Sequence, residues 1–257
     1  MFRENPIKKK LKEGKRTLIC WQYLCSPIAA EVVGLAGFDG ILIDHEHGPG
    51  DLLNAISLMQ AISATPAASI VRLPWNDTVY MKRVLDAGAE GVMVPSVNTK
   101  AEAEAVVAAC RYAPEGVRGA GYPLVRAADY GLQAKRYPAE YKDNLLIICQ
   151  VETVEGVENA AEIAAVPGID MVFIGPFDLS VSMNKMAQFE DPEFIATMRK
   201  AEDAVKKSGK FLGGLATAVD SPKAMFERGY GLVGSGADVW FIRDAALANI
   251  KASGRDD

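Results

Sequence analysis

A (β/α)8 barrel is predicted for this 257-residue chain, and three observations predict it. Short apolar runs alternate eight times with segments of helical spacing, the pattern of parallel strands joined by crossover helices. No shift in composition cuts residues 1–257 into two domains. The rival, an open doubly wound sheet, usually announces itself with G-x-G-x-x-G after an early strand, and that motif is absent.

The elements follow in order. Residues 1–15 read as a short charged opening helix, 17–24 (TLICWQYL) as the first strand and 28–36 as a small-residue helix. FDGILIDHEHGPGD, at 38–51, holds the second strand and breaks at Gly48-Pro49-Gly50. A helix over 51–63 places Leu52, Ala55, Ile56, Met59 and Ile62 at helical spacing. Strand three is 69–73, ended by Pro74, and its helix is 79–87, stopped by Gly88. Strand four at 91–94 and a helix at 100–111 follow. From 112 to 144 the alternation lapses into APEGVRGAGYP and a weakly helical 127–141, too long for an ordinary connection and therefore a lid or an interface. It resumes with strands at 145–151, 171–174, 211–215 and 232–235, and helices at 154–165, 192–207, 221–227 and 243–251.

Composition excludes several function classes. Net charge is −5 and no basic tract exceeds Lys8–Lys12, here read as a solvated helix face, so nucleic acid is not an expected partner. No apolar run approaches the roughly 18 residues of a membrane span, and the first residues lack a signal peptide's apolar core. Cys20, Cys25, Cys110 and Cys149 show no paired zinc spacing, and Cys149 reads as a small buried hydrophobe. A soluble, cytoplasmic protein acting on small molecules is expected.

A barrel of this kind works at the C-terminal ends of its strands. Strand two ends in Asp44, Glu46 and His47, with alternation grouping Leu42, Asp44 and Glu46 against Ile41, Ile43 and His45. Strand three ends in Arg72, strand five in Gln150 and Glu152 on one face, and strand six in GPFD with Asp178. Glu152 and Asp178 suit a hard divalent cation, and one clustered histidine where three are needed argues against a zinc-hydrolase site. Arg72 suits a planar carboxylate or a developing enolate. His47 supplies the side-chain type whose ordinary titration suits proton transfer near neutrality. Together they describe enolate chemistry on a 2-keto acid. A Schiff-base lysine is the other route, but no lysine ends a strand.

Several long segments, in order, carry a resemblance: FDGILIDHEHGPGD, VRLPWNDTVYMKRVLDAGAEGVMVPSV, RYAPEGVRGAG, QVETVEGVEN, GIDMVFIGPFDLS and GLVGSGADV. The chain resembles the HpcH/HpaI family of class II pyruvate aldolases, within the phosphoenolpyruvate/pyruvate superfamily of TIM barrels. The resemblance implies reversible cleavage of a 4-hydroxy-2-oxo acid to pyruvate, or a close 2-keto acid such as hydroxypyruvate, and an aldehyde, in aromatic or sugar-acid catabolism. It implies Mg2+, Mn2+ or Co2+ on Glu152 and Asp178, His47 as base, Arg72 on the enolate, Gln150 and the Phe177 backbone on the substrate, and Asp86 of VLDAG tuning the histidine. Asp86 closes a helix at the bottom of its own barrel, so tuning must reach a neighbouring subunit's histidine; this implies a homo-oligomer, a hexamer in the family. Two departures, Phe177 where relatives have a small residue and His45 where they have glycine, bear on the aldehyde and leave the pyruvyl half intact. His45 is read as structural. Trp21 walls the pocket or fills the barrel layer, and Gly234-Ser235-Gly236 is read as a close approach of backbone to substrate in preference to a phosphate cradle. The alternatives are a CoA-ester lyase of the same superfamily and a non-catalytic barrel that binds 2-keto acids.

Overall fold

The computed structural model describes residues 2–254. Eight parallel strands, β1 (Thr17–Gln22), β2 (Gly40–Asp44), β3 (Ala68–Arg72), β4 (Gly91–Val94), β5 (Leu146–Val151), β6 (Met171–Ile174), β7 (Phe211–Leu215) and β8 (Leu232–Ala237), close in sequence order with β8 hydrogen-bonded back to β1. The intervening helices are α1 (Pro6–Lys12), α2 (Pro27–Leu35), α3 (Leu52–Ile62), α4 (Thr78–Ala87), α5 (Lys100–Cys110), α6 (Tyr137–Asn144), α7 (Val154–Glu158), α8 (Ala160–Ala165), α9 (Pro176–Ser182), α10 (Pro192–Ser208), α11 (Pro222–Glu227) and α12 (Asp238–Ala252). The expected (β/α)8 architecture is the one observed.

Period-2 alternation sorts the strand side chains into two cores. Ile19, Trp21, Leu42, Ile70, Ile148 and Phe173 fill the barrel, whereas Cys20, Ile41, Ile43, Val71, Cys149 and Val172 pack under the helices. Side-chain caps fix where the helices start: Asp77 accepts from the Tyr80 N–H at 2.6 Å, and Thr99 with Glu102 forms a reciprocal capping box. Gly88 stops α4 in the left-handed conformation at φ 95°.

Five expectations need correction. The opening helix covers only Pro6–Lys12, the expectation's residue 1 lying outside the described residues; Lys9, Lys10 and Lys12 form the expected solvated face, but Lys8 does not belong to it. Ile7 and Leu11 join the inner core, and buried Lys8 donates to the Leu145 carbonyl at 2.9 Å and pairs with Asp170 at 2.8 Å. The helix plugs the bottom of the barrel. The helix expected over 154–165 divides at Asn159, whose amide donates to the Asn98 carbonyl at 2.8 Å while its backbone leaves the helical region. GPFDLS begins a helix, α9, because Pro176 suits the first helical position. The last helix starts five residues earlier than expected, at Asp238.

The glycines of β8 make room for the protein's own rings, and Gly236 also lines the cavity at the barrel mouth. A Cβ at Gly234 would enter the Trp21 indole, and one at Gly236, at φ +95°, would enter the Phe241 ring. The excursion at 112–144 holds a short 3-10 segment, Arg126–Gly131, and α6. Its Tyr137 and Tyr141 form a small core of their own. Helix α12 leaves the barrel. Only its first residue, Asp238, is buried, and Trp240, Phe241, Ile242, Leu247 and Ile250 stand exposed along it.

Candidate active site

The C-terminal ends of the strands surround a cavity of about 560 Å3 that includes Asp44, His47, Arg72, Gln150, Asp178 and Trp21 in its lining. Each is brought there by strand or turn geometry. Leu42 points into the barrel, so Asp44, two residues on, does too. Its Oδ1 then accepts from the Glu46 N–H at 3.0 Å and the His47 N–H at 3.4 Å. That turn curls the chain over Asp44, and Gly48 completes it because a Cβ there would run into the Asp44 carbonyl.

Arg72 is the electrostatic centre. Its Nε donates to Asp44 Oδ1 at 3.0 Å and its Nη2 to Asp44 Oδ2 at 2.6 Å, a fork-to-fork pair. Glu46 Oε2 lies 2.8 Å from Nη1, and the guanidinium sits 5.7 Å over the Trp21 ring. Burial alone would lower the guanidinium's pKa. The hydrogen bonds and charge of Asp44, with Glu46 and Glu152, outweigh it and hold the pKa above its ordinary value. Asp44 and Glu46 therefore orient Arg72 and keep it charged.

Beside Gln150, Glu152 is 2% exposed. Its Oε1 accepts from the Ser96 N–H at 2.8 Å and the Ser96 hydroxyl at 3.2 Å, and its Oε2 accepts from the Gln150 amide. Burial, with the charges of Asp178 and Glu46, pushes its carboxyl up to about 7 against the Ser96 N–H and Arg72. The Gln150 Oε1 is buried without a hydrogen-bond partner. Crowded carboxylates and an orphaned amide oxygen are hard donors short of a cation, which fits a divalent ion of the Mg2+ or Mn2+ type. Among the described residues no group of three or more His, Cys, Asp or Glu side chains gathers to hold a metal. A site here would rest on two carboxylates, with other oxygens completing it.

His47 and His45 have opposite surroundings. The His47 side chain is 57% exposed at the mouth, with Nε2 3.8 Å from Glu46 Oε2, and its backbone carbonyl accepts from the Tyr23 hydroxyl. His45 points outward, where Nδ1 meets the Tyr80 hydroxyl at 2.7 Å, and burial lowers its pKa. Trp21 does both things considered for it: it lines the cavity and packs against Phe173 at 5.9 Å. The Phe177 ring also faces the cavity.

Asp86 is not brought to this site. It lies at the far end of α4, where Oδ1 accepts from Arg118 Nη2 at 2.8 Å, beside a small cavity of about 50 Å3 under the barrel. Three contributors were missed from sequence. Ser96, at φ 52°, and Tyr23 follow strands four and one respectively, whose ends carry no acid to draw notice. Gly175 is needed because a Cβ there would lie 2.6 Å from Glu152 Oε2 and 2.9 Å from Gln150 Nε2; its neighbour Asp178 hid that constraint.

A closed parallel barrel with its polar side chains collected at the strand C-termini is the architecture of a barrel enzyme. Residues 17–245 match the profile of the HpcH/HpaI aldolase/citrate lyase family, and the chain belongs to that family. It is 37% identical over 246 residues to a hydroxypyruvate/pyruvate aldolase of Chromohalobacter salexigens, covering 96% of both chains. It is 37% identical over 245 residues to a 4-hydroxy-2-oxo-heptane-1,7-dioate aldolase of Escherichia coli, covering 95% of this chain and 93% of that one. Among solved structures, a HpcH/HpaI aldolase/citrate lyase family protein from Burkholderia cenocepacia superposes with a TM-score of 0.91 at 33% identity, over 97% of this chain and 99% of that one.

Proposed function

We propose that the protein is a divalent-metal-dependent aldolase that reversibly cleaves a 4-hydroxy-2-oxo acid to pyruvate, or a close relative such as hydroxypyruvate, and an aldehyde. The observation that carries this reading is a clamped, charged Arg72 sharing the cavity floor with Gln150, whose amide holds the buried, cation-deficient Glu152 beside it. A divalent ion held by Glu152 and Asp178 would supply a Lewis acid for the keto oxygen. Arg72 faces the negative charge that develops on an enolate oxygen, with Asp44 and Glu46 fixing its plane. Gln150 holds Glu152 in place through its amide N–H and lines the floor on which the substrate would rest. His47, exposed at the mouth, takes the proton from the C4 hydroxyl as the C3–C4 bond breaks and returns it in the addition direction. Incubation with pyruvate, Mg2+ or Mn2+ and a panel of aldehydes should yield adducts whose masses are the sums of the two reactants. Covalent trapping of pyruvate by borohydride would instead establish a Schiff base and overturn the reading.

The second part of the proposal concerns assembly. Helix α12 carries an exposed apolar stripe, and α2 exposes Ile28, Val32 and Leu35 at helical spacing; such surfaces suit burial against further copies of the chain. In a homo-oligomer, hexameric on the family pattern, Asp86 would approach the His47 of another subunit, with Arg118 holding its carboxylate. His47→Ala and Asp86→Ala preparations, each nearly inactive, should recover activity when co-assembled, since roughly a quarter of sites would draw an intact residue from each parent. No recovery despite verified subunit mixing would confine Asp86 to its ion pair with Arg118. Among the described residues, no helix is long and apolar enough to cross a membrane.

A further inference from the structure

We propose that the outer half of the same cavity selects a neutral, apolar aldehyde over one whose far end is a carboxylate. The inference rests on the aldolase reading and concerns only its second substrate. Depth divides the cavity. Arg72 and Gln150, 7% and 3% exposed, belong to its floor, while Phe177, Val181, Met186 and Trp240, at 42%, 52%, 75% and 38%, stand at the mouth. Tyr23 and Val239 complete that wall. Phe177 and Val181 are four residues apart on α9 and so present adjoining side chains. The Phe177 ring is held edge-on by Phe189 at 5.3 Å, and Phe189 in turn by Phe194 at 5.6 Å. The wall is therefore aromatic, aliphatic and braced from behind.

Charge supports the same conclusion. The charged or titratable side chains lining the cavity are Tyr23, Asp44, His47, Arg72 and Asp178. The one guanidinium among them already faces Asp44 and Glu46. Lys185, next to Met186 in the chain, turns instead to Asp191 at 2.9 Å and Glu193 at 3.2 Å. An aldehyde with a distal carboxylate would shed water at this mouth without gaining a cation from this chain, and the Arg118 that a neighbouring subunit would bring is already paired with Asp86. An alkyl or aryl group would gain burial against Phe177, Val181 and Met186. The contrast is with a diacid such as 4-hydroxy-2-oxo-heptane-1,7-dioate, whose cleavage between C3 and C4 leaves pyruvate and succinic semialdehyde. In the addition direction, C3 of pyruvate gives up one proton and bonds the carbonyl carbon of R–CHO. The carbonyl π pair passes to oxygen, which takes that proton, giving R–CH(OH)–CH2–CO–COO− with no further reactant.

The test sets pentanal against succinic semialdehyde, near-isosteric aldehydes differing in the terminal charge, each with pyruvate and Mg2+. The wild-type kcat/KM should favour pentanal by about 10-fold or more, the scale on which apolar pockets and unpaired charges discriminate. Met186→Arg, at the most exposed wall position, should move the ratio toward succinic semialdehyde by about 10-fold; Val181→Arg serves the same purpose should the first variant not fold. A wild-type ratio of one or below would overturn the inference and point to a cation supplied by a neighbouring subunit. Deuterium exchange into the pyruvate methyl group in D2O, with no aldehyde present, separates the two levels of the proposal. Exchange with an unfavourable ratio removes only the aldehyde preference; absence of exchange removes the aldolase reading itself.

Discussion

Replacing His47 by alanine is expected to slow cleavage about 10²–10⁴-fold, the usual worth of a positioned general base, while metal affinity stays near that of the parent. The geometry separates the two. His47 stands exposed at the mouth, near Glu46, while Glu152 is buried and held by Ser96 and Gln150. His45→Ala should cost little in rate, since its ring is turned outward against Tyr80 and never reaches the cavity. Steady-state cleavage and calorimetric metal titration on both variants check this. A slower His45 variant than His47 variant would mean that the alternation along β2 had been misassigned.

The second large effect is carried by Glu152. Folding raises its carboxyl from an ordinary 4.5 to about 7. A group raised by folding contributes stability below its unfolded value and loses that contribution as pH rises through the folded one; here the loss is on the order of 3 kcal/mol. The metal-free protein should therefore lose stability between about pH 5 and pH 8, and a divalent cation should offset that loss. The measurable result is a rise in Tm on adding Mg2+ or Mn2+ that is several degrees larger at about pH 8 than at about pH 5.5. Chelation should abolish cleavage and added metal restore it. Glu152→Gln keeps the shape and removes the charge, so it should abolish both the metal-induced rise in Tm and the activity. An equal rise at both pH values in the parent would show that Glu152 does not hold the ion.

The strand alternation was legible because it follows from backbone geometry alone. Leu42, Asp44 and Glu46 read as one face in the sequence and form one in the structure, with His45 on the other. Gln150 and Glu152 obeyed the same rule. What escaped were contacts made across the chain. Lys8 looks like one cation in a solvated run, yet a carbonyl of Leu145 and the carboxylate of Asp170 draw it under the barrel. Ser96 is an unremarked serine after Pro95 until β5 brings Glu152 beside it. That Trp21 fills the Cβ space at Gly234 and Phe241 that at Gly236 is equally invisible in the local sequence. Period-2 patterning is local information; the partner of a buried charge and the occupant of a glycine's gap are not.

The pairing of β1 with β8, Thr17 opposite Leu232 and Ile19 opposite Gly234, has a consequence for biosynthesis. On the ribosome one edge of β1 waits for the last strand, which at 5–20 residues per second takes roughly 10–40 s of elongation. Throughout that interval an apolar TLICW edge is open to pairing with another nascent chain. The lysines at 9, 10 and 12, just upstream, are placed to keep such edges apart by charge until the barrel shuts.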